Sequence, residues 1–266
     1  MSIAIIVPVT RMAGKLDFLE SWLRETLPYE DIFVYLVHDK QDQETGHELH
    51  KLLKSINSRN IRLLERYLGN PGSARNLGIS AAQEEYIVFW DSDDLGKPSE
   101  LREVIKANKD AEIIICNYET HDISKNVNIL MDHKKSLKKI IESPGLWRFI
   151  FKSQALDGKR FEKYSMGEDQ LFLEQIGFAD KRFAFSDKYV YQYNINRVGS
   201  LTYNKDMTDL EFVIRDGLEL SKKQNDLAKK FTRNMVLRQT LSLIRHGNVL
   251  ARVKSIFITI QILLIR

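Results

Sequence analysis

Two acidic clusters and one arginine carry the chemistry legible in this sequence. Asp91, Asp93 and Asp94 fall together in Trp90-Asp91-Ser92-Asp93-Asp94, directly after the apolar run Tyr86-Ile87-Val88-Phe89. Carboxylate oxygens suit hard divalent cations such as Mg²⁺ or Mn²⁺, which commonly bridge a few carboxylates and substrate phosphates. The same string also reads as a solvated acidic turn ahead of a helix that starts near Ser99. Its spacing is not that of an EF-hand, which argues against a calcium loop. Upstream stands Gly69-Asn70-Pro71-Gly72-Ser73-Ala74-Arg75-Asn76-Leu77-Gly78. Amides at a helix start favour anions, and an arginine there adds a charge-assisted fork. The alternative is that Ser73 caps the helix and Arg75 is a solvated first-turn residue. These glycines form neither a dinucleotide fingerprint nor a P-loop, so both of those classes lose ground. Downstream, Glu168-Asp169 opens another predicted helix. The pair serves either to compensate the helix dipole or to supply a positioned carboxylate base.

Positioning such residues requires strands whose ends converge. Apolar and β-branched runs predict strands over 3–9, 32–37, 61–64, 86–90 and 111–117, with helices over 15–25, 49–56, 74–82 and 99–107 between them. Strands alternating with helices imply an α/β fold with a mostly parallel, doubly wound sheet, which binds ligands at the carboxyl ends of its strands. Pro8-Val9-Thr10, His38-Asp39 and the Asp91–Asp94 cluster all lie at such ends. The stretch 121–143 reads as an irregular polar excursion, 144–175 as aromatic-rich packing, and 189–193 as a short strand. From Asp209 onward the pattern is helical and increasingly basic.

The composition is that of an ordinary soluble globular chain. It has 266 residues, 43% hydrophobic and 29% charged, and its net charge of +4 does not argue for nucleic acid. Cys116 is the single cysteine, within Ile113-Ile114-Ile115-Cys116, so it reads as a buried core thiol compatible with a reducing cytosol. The N-terminus lacks a basic leader, and no apolar run reaches the length of an ordinary transmembrane helix. A cytoplasmic location is the expectation.

Taken in order, these motifs resemble the family 2 glycosyltransferases of the GT-A fold. The likeness spans roughly Ile3 to Thr202: Gly72 to Gly78, then Tyr86 to Asp94, then Gly167-Glu168-Asp169-Gln170-Leu171-Phe172, then Tyr193 to Ser200. The resemblance implies inverting transfer of a sugar from a nucleotide-diphosphate donor, a UDP-sugar first among them, to a saccharide or lipid-linked acceptor, in bacterial surface-polysaccharide or glycolipid synthesis. It implies that Pro8, Thr10 and Asp39 contact the nucleoside and that Arg75 lies near the nucleotide. It further implies that Asp91, Ser92 and Asp93 form the Asp-x-Asp segment, and that Glu168 and Arg197 join the donor site. Asp93 or Asp94 would hold Mn²⁺ or Mg²⁺, and Asp169 would be the catalytic base. After the second strand, His38-Asp39-Lys40-Gln41-Asp42 departs from the family's Asp-Asp-Gly-Ser-x-Asp, leaving only Asp39 secure. Thr10-Arg11 likewise replaces the common Tyr-Asn.

The expected division is a catalytic domain over 1–205 and a basic helical extension over 206–266. Lys222, Lys230, Arg238, Arg245 and Lys254 punctuate that extension, which ends in the apolar run 256–265. It suits either an anionic membrane surface or packing on the catalytic domain or a second subunit. Oligomeric state is not legible. Two rival classes remain at this point. A nucleotidyltransferase would need a triphosphate loop, for which Met12-Ala13-Gly14-Lys15 is a faint candidate, and a non-catalytic binding module would need no base.

Overall fold

The computed structural model describes residues 1–196 and 209–246. β1 (Ile3–Val9), β2 (Ile32–Asp39), β3 (Ile61–Arg66) and β4 (Tyr86–Phe89) form a parallel array in the order β3-β2-β1-β4. Their crossovers are α1 (Asp17–Thr26), α2 (Gln43–Ile56) and α3 (Pro71–Ala81). β1 runs through the centre with Ile3, Ala4, Ile5, Ile6 and Val7 fully buried, as a parallel strand covered on both faces must be. Beyond β4 the sheet becomes mixed. β8 (Phe149–Lys152) is antiparallel to both β4 and β6 (Ile113–Asp122), and β9 (Phe183–Ile195) is parallel to β6. The two-residue strand β5 (Leu95–Gly96) pairs antiparallel with β9 and leads into α4 (Pro98–Ala107).

Local chemistry explains where several elements depart from the sequence expectation. α3 starts at Pro71, earlier than the predicted 74, because Asn70 is its N-cap. The Asn70 side chain accepts from the Ser73 amide at 2.8 Å, so Ser73 is not the cap. α2 starts at Gln43 behind Asp42, whose carboxylate accepts from the Thr45 amide at 3.3 Å. The expected irregular stretch 121–143 instead finishes β6, adds the edge strand β7 (Val127–Met131) and forms α5 (Leu137–Glu142). Most of β7 is exposed, so it lacks the buried-face alternation that marks a strand in sequence.

α6 (Glu168–Gln175), α7 (Leu210–Ser221) and α8 (Asp226–His246) complete the described chain. Phe231 and Met235 of α8 join the apolar cluster on one face of the sheet, and Val213, Ile214 and Leu218 of α7 pack with Val236 and Leu243 of α8. The basic helix therefore packs on the core as far as Leu243. The apolar run 256–265 lies outside the described residues.

Candidate active site

The carboxyl ends of β1, β2 and β4 open into one cleft of about 790 Å³, lined among others by Pro8, Thr10, Asp39, Arg75, Asp91, Ser92, Asp93, Glu168 and Asp169. The sequence-predicted donor and base residues that fall in the described chain thus share one cavity, Asp94 excepted. Arg197 lies outside the described residues.

Asp39 closes β2 by accepting from the Gly69 amide at 2.8 Å and the Gln41 amide at 3.1 Å. Burial raises its pKa, but these amides and that of Leu68 outweigh it and hold the carboxyl below the ordinary aspartate value. Asp39 thereby ties the β2 end to the loop that starts α3. Asp42 also faces the cleft and accepts from the Arg11 amide, which fixes Arg11 in a left-handed conformation at φ 57°. His38 turns away from the cleft: it is buried, with Nδ1 3.1 Å from the Val9 carbonyl.

The Asp91–Asp94 turn is clamped from β9. Tyr191 accepts from the Asp91 amide at 3.1 Å and donates to Asp94 Oδ2 at 2.6 Å, while the Asn194 amide donates to Asp94 Oδ1 at 2.7 Å. Asn194 Nδ2 donates to the Asp93 carbonyl at 2.8 Å. Asp94 is 1% exposed with both oxygens engaged. Burial, then the charges of Asp93 and Asp91, push its carboxyl well above the ordinary range. The expectation of Asp94 as a metal ligand therefore meets a carboxylate that holds the turn from behind. Asp93 is the residue of that pair that faces the cleft. Gly96 closes the clamp, because a Cβ there would lie 2.1 Å from the Trp90 ring.

Arg75 joins this turn to the second acidic cluster. It is 7% exposed, with Nη1 2.7 Å from Glu168 Oε1 and Nη2 3.0 Å from Asp91 Oδ1. Its guanidinium also lies 5.6 Å from the Phe161 ring centroid. The neighbouring motif residues extend the joint. Asn76 exchanges two hydrogen bonds with the Phe161 backbone, at 2.8 and 2.9 Å, and a Cβ on Gly72 would meet the Glu162 carbonyl at 2.4 Å. The Gly-Arg-Asn string is thus the seam between α3 and the segment leading to α6, with two guanidinium nitrogens committed to protein carboxylates. Gly167 stands at φ 83°, the left-handed conformation from which α6 departs with Glu168 and Asp169 first.

Burial and the charge of Asp169 raise the Glu168 carboxyl, against the opposing pull of Arg75. Burial also raises Asp169, with the charge of Asp91 adding to it and Arg75 and the Gln170 amide opposing. A carboxylate of raised basicity at the cleft wall is equipped to accept a proton. Among the described residues no group of three His, Cys, Asp or Glu side chains forms a metal cage. Asp91 and Asp93 face the cleft and are the carboxylates of this turn that would offer oxygen donors to a hard divalent ion.

Several contributors were not singled out as site residues from sequence. Tyr191 lies in the short strand expected at 189–193, and Asn194 in the Tyr193–Ser200 segment of the resemblance, but neither was assigned a role there. Gln239 and Arg238 reach the cleft from α8, where Arg238 is one cation among many.

Residues 5–172 match the family model described as Glycosyl transferase family 2. The chain is 28% identical over 214 residues to a poly(ribitol-phosphate) β-glucosyltransferase of Bacillus spizizenii, covering 75% of this chain and 33% of that protein. It is 31% identical over 126 residues to glycosyltransferase GlyG of Streptococcus pneumoniae, covering 46% and 40%. It thus spans between a third and two fifths of these relatives' lengths. In fold it is similar to S. aureus TarS 1–349 in complex with UDP-GlcNAc, with TM-score 0.73 and 18% identity over 93% of this chain and 75% of that one. It is also similar to the Pyrobaculum calidifontis mannosyltransferase PcManGT in complex with GDP-Man and Mn²⁺, with TM-score 0.62 and 13% identity over 94% and 77%. The match covers the strand ends, the Asp91–Asp93 turn and the Glu168-Asp169 pair, and with that extent this chain belongs to glycosyl transferase family 2.

Proposed function

We propose that the protein is an inverting glycosyltransferase that moves a sugar from a nucleotide diphosphate, a UDP-sugar by preference, to an acceptor hydroxyl in bacterial surface-polysaccharide synthesis. One observation carries the reading: Arg75 holds the Asp91–Asp93 turn and the Glu168-Asp169 pair on the same cleft. The UDP-GlcNAc complex of the similar TarS structure supports the choice of donor.

In this reading Pro8, Thr10 and Asp39 cradle the nucleoside. Asp93, with Asp91 beside it, would hold Mn²⁺ or Mg²⁺, and the ion supplies charge neutralisation for the departing diphosphate. Glu168 acts through Arg75, which keeps Asp91 in place. Asp169 takes the acceptor hydroxyl proton while the acceptor oxygen attacks the anomeric carbon from the face opposite the diphosphate. The new carbon–oxygen bond forms as the bond to phosphate breaks, and its electron pair leaves with the nucleoside diphosphate. One displacement inverts the carbon without a covalent enzyme intermediate.

The loop Met12–Lys15 argues against a nucleotidyltransferase. The Met12 amide donates to Thr45 at 2.9 Å and the Gly14 amide to Glu48 at 2.8 Å, so these donors are committed within the protein. We assign residues 1–205 as catalytic and 206–266 as an extension whose α8 completes the acceptor side. No helix among the described residues is long and apolar enough to cross a membrane. A cytoplasmic location goes with this reading, and the basic and apolar sequence 247–266 suits either the inner membrane face or packing on the catalytic domain or a second subunit.

The test incubates the protein with Mn²⁺, UDP-, GDP-, CMP- and dTDP-sugars and candidate acceptors. Nucleoside diphosphate release and the anomeric proton coupling of the product are followed. Acceptor-dependent release from one donor class, with inverted configuration, is expected. Consumption of no donor, or retained configuration, would overturn the reading.

A further inference from the structure

The chain that leaves β1 turns at Arg11 and is caught by one face of α2. The Arg11 amide donates to Asp42, the Met12 amide to Thr45 Oγ1 at 2.9 Å and the Gly14 amide to Glu48 Oε2 at 2.8 Å. Asp42, the N-cap of α2, is followed by Thr45 and Glu48 at every third position, so the three share one side of the helix start. These amides are used inside the protein and are not free to receive an anion. Arg11 itself stands at φ 57°, a conformation uncommon for a residue with a Cβ, and Asp42 holds it there.

The Arg11 side chain is exposed and lines the catalytic cleft, and among the described residues no ion pair or hydrogen bond engages its guanidinium. The other two arginines of the cleft differ. Arg75 is buried and uses both terminal nitrogens on Glu168 and Asp91, and Arg238 donates to Gln170 beside Asp169 at 3.3 Å. Six carboxylates line the same cleft: Asp39, Asp42, Asp91, Asp93, Glu168 and Asp169. An anionic ligand entering there needs a cation that is not already paired. Sheet order fixes where Arg11 stands. β1 lies between β2 and β4, with Asp39 ending β2 and Asp91–Asp93 following β4. A ligand that reaches from Asp39 to Asp93 therefore crosses the end of β1, where Thr10 and Arg11 begin the loop. In a nucleoside diphosphate laid this way, the group between the ribose and the β-phosphate is the α-phosphate. A planar guanidinium offers that group a charge-assisted, two-pronged donor.

We propose that Arg11 binds the α-phosphate of the nucleotide donor, and that Asp42 positions it by holding its backbone in the left-handed conformation. This rests on the glycosyltransferase reading. It adds a contact to the departing diphosphate that the committed terminal nitrogens of Arg75 are not free to make. The backbone strain is part of the device: a conformation that suits glycine carries an arginine because the side chain works over the cleft.

The test titrates uridine, UMP and UDP into the full chain at fixed Mn²⁺, by calorimetry, for the wild type, R11M, R11K, R11G and K15M. In R11M, UMP and UDP should each weaken by about tenfold while uridine stays within about twofold. R11K should bind UDP about threefold more weakly than the wild type, because a point charge replaces the fork. R11G should lose UDP affinity as R11M does, yet unfold in urea at a midpoint no lower than the wild type, since glycine relieves the backbone. Lys15 also lines the cleft, and K15M should weaken UDP by less than about threefold. Equal weakening of all three ligands in R11M would place Arg11 on the nucleoside and overturn the proposal. Weakening of UDP without UMP would place it on the β-phosphate, and a larger loss in K15M would assign the phosphate to Lys15; either result overturns it too. Should R11M misfold, wild-type UDP affinity in R11G and R11K would overturn it in the same way. A lowered R11G midpoint would overturn the part given to Asp42. A wild-type chain that binds none of the three ligands would count against the donor-site reading itself, whereas wild-type binding with R11M unaltered counts against Arg11 alone.

Discussion

Arg75 Nη1 donates to Glu168 Oε1 at 2.7 Å across 93 positions of sequence, and through its other terminal nitrogen Arg75 holds Asp91. The donor side of the cleft and the helix that bears the base are therefore one electrostatic unit. Its geometry depends on a single buried cation lying between two carboxylates.

Arg75→Met should disturb both stability and chemistry. Removing one member of a buried ion pair costs about 3–5 kcal/mol, because the partner charge stays buried. A second change, Glu168→Leu, should recover most of that loss in urea denaturation without restoring turnover. The Arg75 charge also holds Asp169 down. Where R75M retains measurable turnover, the acid limb of its pH–rate profile should move to higher pH. A wild-type urea midpoint in R75M would contradict the joint.

Asp93 and Asp94 should separate cleanly. Asp93→Ala should abolish stimulation by Mn²⁺, measured as donor turnover against ion concentration. Asp94→Asn should keep the ion dependence but lose stability by about 1–3 kcal/mol, because one of its buried hydrogen bonds is reversed. Tyr191→Phe should mimic Asp94→Asn, since Tyr191 bonds both Asp94 and the Asp91 amide. Loss of Mn²⁺ stimulation in Asp94→Asn, with Asp93→Ala unaffected, would reverse the assignment.

Glu174 predicts a pH dependence of folding. Its carboxyl is buried with neither oxygen hydrogen-bonded among the described residues, and it lies against Gly217 of α7. Burial pushes it well above the ordinary glutamate range. The native state thus keeps a proton that the unfolded chain releases, so stability declines as pH rises above the ordinary glutamate value. Glu174→Met should gain about 1–3 kcal/mol near pH 8 and less near pH 5. A gain independent of pH, by urea denaturation at the two values, would show that Glu174 does not titrate in this window.

The parallel half of the fold was legible because β1, β2 and β4 are mostly buried strands rich in Ile, Val and aromatic residues. The mixed half was legible only in part: strands were expected at 111–117 and 189–193, inside β6 and β9, whereas β7, β8 and the full length of β9 were not. β7 buries almost nothing, and β9 shifts register against β6 around Asn117, so neither shows a clean alternation. Site residues were legible by type and order, yet their pairing was not. The motif around Arg75 read as an anion loop or a solvated helix start; the fold places it on the cleft and also uses it to fasten α3 to the approach to α6. That contact spans residues no local spacing relates. Arg238 was hidden for a different reason: on a basic helix, the one arginine facing the base looks like its solvated neighbours.

The most direct test of the central claim is Asp169→Asn, measured for turnover at saturating donor and acceptor and for UDP affinity in the same preparation. The exchange keeps the shape of the side chain and removes its ability to accept a proton. Turnover should fall by about 10²–10⁴-fold while UDP affinity stays within about twofold. Turnover within about tenfold of wild type, with UDP still bound, would show that the proton leaves by another route and that Asp169 is not the base.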